Sequence, residues 1–149
     1  MTDKDVTSID GKQNPKFSAE ERAALREYAK ELKAQATKAE AEAEVLSSIA
    51  KMPMPDRALA ENIHRIVKGT RPDLDARTWY GMPAYYLDGK NICFFQIASK
   101  FKTRYCTLGF NPAAQLDDGQ MWPTAFAVLD ITPEVEARIA ELVSRATNS

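Results

Sequence analysis

The stretch Tyr85-Tyr86-Leu87-Asp88-Gly89-Lys90-Asn91-Ile92-Cys93-Phe94-Phe95-Gln96-Ile97-Ala98 decides the fold. Two runs rich in aromatic and apolar residues flank Asp88-Gly89, a dipeptide that tolerates the positive φ angles of a tight hairpin turn, so the segment reads as two antiparallel strands. Alternation then places Cys93, Phe95 and Ile97 on one face. Beyond the hairpin, Arg104 to Phe110 reads as a third strand with Cys106, Leu108 and Phe110 sharing a face, and Ala125 to Leu129 as a fourth. Of the 13 aromatic residues, 11 lie between Trp79 and Phe126, which confines the sheet to this block.

Helical patterns flank the block on both sides. Ser18 followed by Glu21 fits a reciprocal capping box, so a helix is expected from Ser18 to about Gln35. Its apolar stripe, Leu25, Tyr28, Ala29 and Leu32, is thin and charged residues surround it, the pattern of a peripheral helix with one face available to a second copy of the chain. Residues 36–44 hold only Ala, Thr, Lys and Glu and read as a helical extension or a linker. Val45, Leu46, Ile49 and Met52 restore helical spacing until Pro53. Pro55-Asp56 opens a second helix with Leu59, Ile63, Ile66 and Val67 on one face, closed by Gly69 ahead of Pro72. Thr132-Pro133, with Glu134 and Glu136, caps a final helix bearing Val135, Ile139, Leu142, Val143 and Ala146. The fold class is therefore α+β: an antiparallel sheet of three to five strands covered mainly on one face by the Asp56 and Thr132 helices. Residues 1–17 are expected to be a flexible tail, 18–44 a charged helical extension and 45–147 the α+β domain.

Composition narrows the class of function. The chain has 149 residues, enough to bury roughly 70% of its unfolded surface around one core without disulfides or a structural metal. Twenty Lys and Arg against 21 Asp and Glu give a net charge of -1, so no global field draws the protein to nucleic acid or to an anionic membrane. There is no run of about 18 apolar residues and no basic start leading into an apolar stretch. Cys93 and Cys106 form no paired motif and read as buried thiols of a reducing compartment. The expected location is the cytoplasm.

Chemistry-bearing motifs are sparse. No Walker loop, Gly-x-Gly-x-x-Gly, zinc spacing or EF-hand loop occurs. His64 is the single histidine and reads as a helix-surface residue near Arg65 and Lys68, so a triad or a Cys/His pair has little to build on, which points away from an enzyme. The richest constellation is Trp79, Tyr80, Met82, Tyr85 and Trp122, set around the Met82-Pro83 and Trp122-Pro123 junctions. Such residues either wall a ligand pocket, with Tyr hydroxyls and indole N–H groups as polar handles, or fill the end of the core. Lys100, Lys102 and Arg104 alternate with Phe101, Thr103 and Tyr105, and a strand there places three cations on one face. That face either binds a phosphate or carboxylate or protects a sheet edge. A pocket beside Lys102 or Arg104 is the best candidate, suited to a small planar or anionic ligand.

The segment Trp79-Tyr80-Gly81-Met82-Pro83-Ala84-Tyr85, with an amphipathic helix and Pro72-Asp73-Leu74 before it and the Asp88-Gly89-Lys90 hairpin after it, resembles the YdhG-like domain family over about Val45 to Ala146. Phe94-Phe95-Gln96, Lys100 to Tyr105, Leu108-Gly109-Phe110 and Met121 to Phe126 resemble a subgroup with its own N-terminal charged helix. The resemblance implies helices against an antiparallel sheet and carries over no catalytic residue. The family includes a frataxin-like bacterial iron chaperone, which implies iron, held weakly by surface carboxylates, as a cofactor or cargo. The carboxylates available are Glu40 and Glu44, one helical turn apart, and the Asp117-Asp118 pair, which read equally as solvated charges and turn residues. A non-enzymatic binding protein with an aromatic and basic pocket, for a small molecule or a protein partner, is the first expectation, and the iron chaperone is the alternative.

Overall fold

Five strands pair antiparallel in the order of the chain, β1 (Asp75–Trp79), β2 (Met82–Leu87), β3 (Lys90–Gln96), β4 (Cys106–Phe110) and β5 (Ala125–Val128). The structure, a computed structural model, describes residues 18–148, so the tail expected over residues 1–17 lies outside the described residues. Helices α1 (Ala19–Ala50) and α2 (Asp56–Thr70) precede the sheet, α3 (Ala98–Phe101) interrupts it between β3 and β4, and α4 (Pro133–Ala146) follows it. None of these helices is long and apolar enough to cross a membrane.

Two units divide the chain, Met1–Ala39 and Glu40–Ser149. In the first, Glu21 N–H donates to Ser18 Oγ at 3.1 Å and Ser18 N–H to Glu21 Oε1 at 2.7 Å, the capping box expected from the sequence. Leu25, Tyr28 and Leu32 remain exposed along its stripe. Residues 36–44, read as an extension or a linker, are helical. The second unit holds the whole sheet and the core.

One face of the sheet meets the helices. Register pairs Ala76 with Tyr85, Tyr85 with Cys93, Cys93 with Phe110, Phe95 with Leu108 and Cys106 with Val128. These residues join Val45, Ile49, Leu59, Ile63, Val67, Ile139, Leu142 and Val143 in one buried cluster. The opposite face carries Arg77, Ala84, Phe94, Gly109 and Ala125 in successive register, with Arg77 over the Tyr86 ring at 4.6 Å. Thr132 Oγ1 accepts from Val135 N–H at 3.2 Å and starts α4, as its sequence predicts.

Three expectations need correction. The hairpin around Asp88-Gly89 is expected to begin its first strand at Tyr85, yet Met82 and Pro83 already lie inside β2. Pro83 is tolerated because β2 pairs there only with Thr78 of β1, the pairing to β3 beginning at Ala84. The run Lys100 to Arg104 is not a strand. Ser99 N–H donates to the Asp56 carboxylate at 3.0 Å, the chain coils into α3, and Lys102 closes it in the left-handed region at φ 55°. Finally, His64 is no surface residue, for its side chain is 12% exposed.

Candidate functional site

The segment Trp79–Met82 is positioned by a two-residue turn. Tyr80 at φ 51° and Gly81 at φ 77° join β1 to β2 as Asp88 and Gly89 join β2 to β3. Gly81 is bare backbone at a close approach, because a Cβ there would collide with the Lys100 Nζ. The ammonium of α3 thus rests against the turn. Around it opens a cavity of about 510 Å³ whose wall comprises Gly81, Lys100 and Ser99, together with Ser47, Ser48 and Lys51 at the end of α1. Glu44, Met52, Pro53 and Ile97 complete it. The lining residues include Lys51, Lys100, Ser47 and Ser48 against the single acidic Glu44, while the Ser99 side chain bonds to Asp56, a composition that favours an anion through charge-assisted hydrogen bonds.

Asp56 fixes the α3 wall of this cavity from behind. It is 5% exposed, and burial pushes its carboxyl up, but hydrogen bonds from Ser99 and from the Cys106 thiol outweigh burial and hold it below the ordinary carboxylate range. The carboxylate stays charged and the Ser99 backbone stays fixed.

The structure distributes the expected pocket residues over several places. Trp79 packs at a tilt of 59° against Phe94, ring centroids 5.1 Å apart, on the face away from the helices, and meets Tyr80 edge to face at 5.2 Å. Tyr80 is exposed beside the cavity and Met82 is buried opposite Trp79. Lys102 and Arg104 follow α3 exposed, Arg104 lying over the Tyr105 ring at 5.1 Å. Tyr85 sits on the core face, wholly buried, which raises its hydroxyl pKa strongly. Its hydroxyl lies 2.9 Å from His64 Nδ1, and His64 Nε2 lies 3.1 Å from Glu42 Oε2. That chain of three polar groups satisfies a buried tyrosine and is an internal brace. Trp122 belongs elsewhere: it walls one cavity of about 310 Å³ with Phe110, Asn111 and Asp117, and another of about 210 Å³ with Asp118 and Arg138.

The expected carboxylates are spread as well. Asp117 and Asp118 line different cavities, and Glu40 is exposed while Glu44 borders the basic cavity. Among the described residues no three His, Cys, Asp or Glu gather as a metal site. Both cysteines are buried thiols, Cys93 pushed up to about 12 by burial and Cys106 raised by burial and by Asp56.

Sequence reasoning singled out the aromatic turn and the basic run but missed Ser47, Ser48 and Lys51. Their helical spacing was visible. Their proximity to Gly81 was not, because it depends on the route of the chain from α1 to α2. No family model, curated protein or solved structure matches this chain.

Proposed function

We propose that this protein is a binding module that takes a small anion in the cavity between the end of α1, the Tyr80-Gly81 turn and α3. The supporting observation is the Lys100 ammonium seated on the bare backbone of Gly81, in a cavity that Lys51, Ser47 and Ser48 also line. The turn itself calls for glycine at position 81, at φ 77°, and the Lys100 ammonium occupies the space that a side chain there would take. None of the residues expected to form the pocket lines this cavity, which is bordered by their chain neighbours Gly81 and Lys100.

Isothermal titration of the full chain with inorganic phosphate tests the reading. Phosphate is expected to bind, and Lys100→Gln together with Lys51→Gln to weaken it at least about tenfold, the scale of one or two charge-assisted hydrogen bonds. Equal binding by the double variant, or no binding by the wild-type chain, rejects the site. The alternative implied by the family resemblance, iron held by surface carboxylates, would draw on carboxylates that are spread, since Asp117 and Asp118 line different cavities and Glu44 borders the basic cavity without Glu40. The anion reading is the one the geometry supports best.

A further inference from the structure

Tyr80 is strained and solvent-facing at once. A non-glycine residue with a large ring in the left-handed region is costly, and the first position of such a turn suits Asn or Gly far better. Burial does not repay the strain, since Tyr80 is 80% exposed and its ring meets only the edge of Trp79 among the ring contacts described. Phe101, the chain neighbour of the cavity residue Lys100, is 41% exposed with its ring centroid 5.7 Å from Lys100 Nζ. One exposed ring therefore lies near the ammonium that rests on Gly81, and a second, Tyr80, directly precedes Gly81 in the turn. Exposed rings next to a cationic cavity provide stacking surfaces that a bare inorganic ion leaves unused.

We infer that the ligand of this cavity is a small anion carrying a planar ring, of the chemical class of a nucleoside monophosphate. This rests on the anion-site reading above. The phosphate meets Lys51, Lys100 and the serine hydroxyls, and the base stacks on Tyr80 with Phe101 on the other side of Lys100. A cavity of about 510 Å³ has the size of a small-molecule site. Two lysines and a net chain charge of -1 are too little to hold a polymeric phosphate backbone, which favours the monomeric ligand.

Calorimetric titration of the full chain with adenosine 5′-monophosphate and, separately, with ribose 5-phosphate tests the inference. The nucleotide is expected to bind at least about tenfold more tightly, the scale of one base stacked on one aromatic ring. Tyr80→Asn keeps a residue suited to the turn and should erase that advantage while leaving ribose 5-phosphate binding unchanged. Equal binding of the two ligands to the wild-type chain overturns the ring inference and leaves the anion site standing. If neither ligand binds, the anion site falls, and the inference with it. An advantage that survives in Tyr80→Asn and also in Phe101→Leu overturns the placement of the base.

Discussion

At the scale of single residues, the most consequential group is one with no local signature. Asp56 looks like an ordinary acidic residue in the first turn of a helix, and its sequence neighbours explain only that role. Its carboxylate reaches instead to Ser99 and Cys106, more than forty positions away, and turns an expected strand of cations into a short helix. With its folded pKa held below the ordinary aspartate value of 3.8, Asp56 contributes stability that is complete above that value and is lost as pH falls through the lower folded value. Asp56→Asn should therefore destabilise the protein by about 1–3 kcal/mol at neutral pH, and by progressively less in strong acid, where the wild-type carboxyl also becomes neutral. Urea unfolding at neutral pH and below pH 3.8 measures the difference, and a penalty that does not shrink in acid refutes the account. Residues whose partners lie within one turn behaved otherwise. Ser18 with Glu21 and Thr132 with Val135 were legible because a cap and its acceptor are three positions apart.

At the scale of elements, hairpin chemistry was legible where the turn residues favour positive φ and hidden where they do not. Asp88-Gly89 announced β2 and β3, whereas Tyr80-Gly81 forms the same kind of turn with a residue that sequence rules place elsewhere, and β1 went unread with it. Alternation correctly grouped the core-facing residues of β3 and β4, because burial on one face imposes a period of two. It also explains Gly109. Phe94 of β3 lies across its partner Gly109 of β4, and any Cβ there would strike the Phe94 ring. Gly109→Ala should cost about 1–3 kcal/mol through overpacking and turn Phe94 out of its contact with Trp79. Because the fault lies in one pair, adding Phe94→Ala should recover part of that loss, a non-additive result that a double-mutant cycle of denaturant midpoints reads directly. Strict additivity would locate the role of Gly109 in its backbone alone.

At the scale of the molecule, the buried cluster begins at Val45 and ends at Ala146 among the described residues. The pattern was visible because every helix that contributes to this core has an apolar face, while the start of α1 has only a thin stripe. In that first unit Leu25 is 50% exposed, Tyr28 60% and Leu32 48%, so its helix draws little on apolar burial. What the sequence could not show was which ends of the elements meet around a cavity, since that follows from packing helices of a given length on one face of the sheet. The division has a measurable consequence. The denaturant slope m follows the surface exposed on unfolding, and among the described residues the buried apolar cluster lies within Glu40–Ser149. A chain that starts at Glu40 should keep a single cooperative urea transition with its midpoint free energy within about 1 kcal/mol of the full chain and a nearly unchanged m, while its far-UV helical signal falls. It should also keep the phosphate affinity of the full chain, because every residue lining the basic cavity lies between Glu44 and Lys100. A broadened transition or a marked drop in m would mean that the first unit contributes to the cooperative core, contrary to the exposure of its apolar stripe.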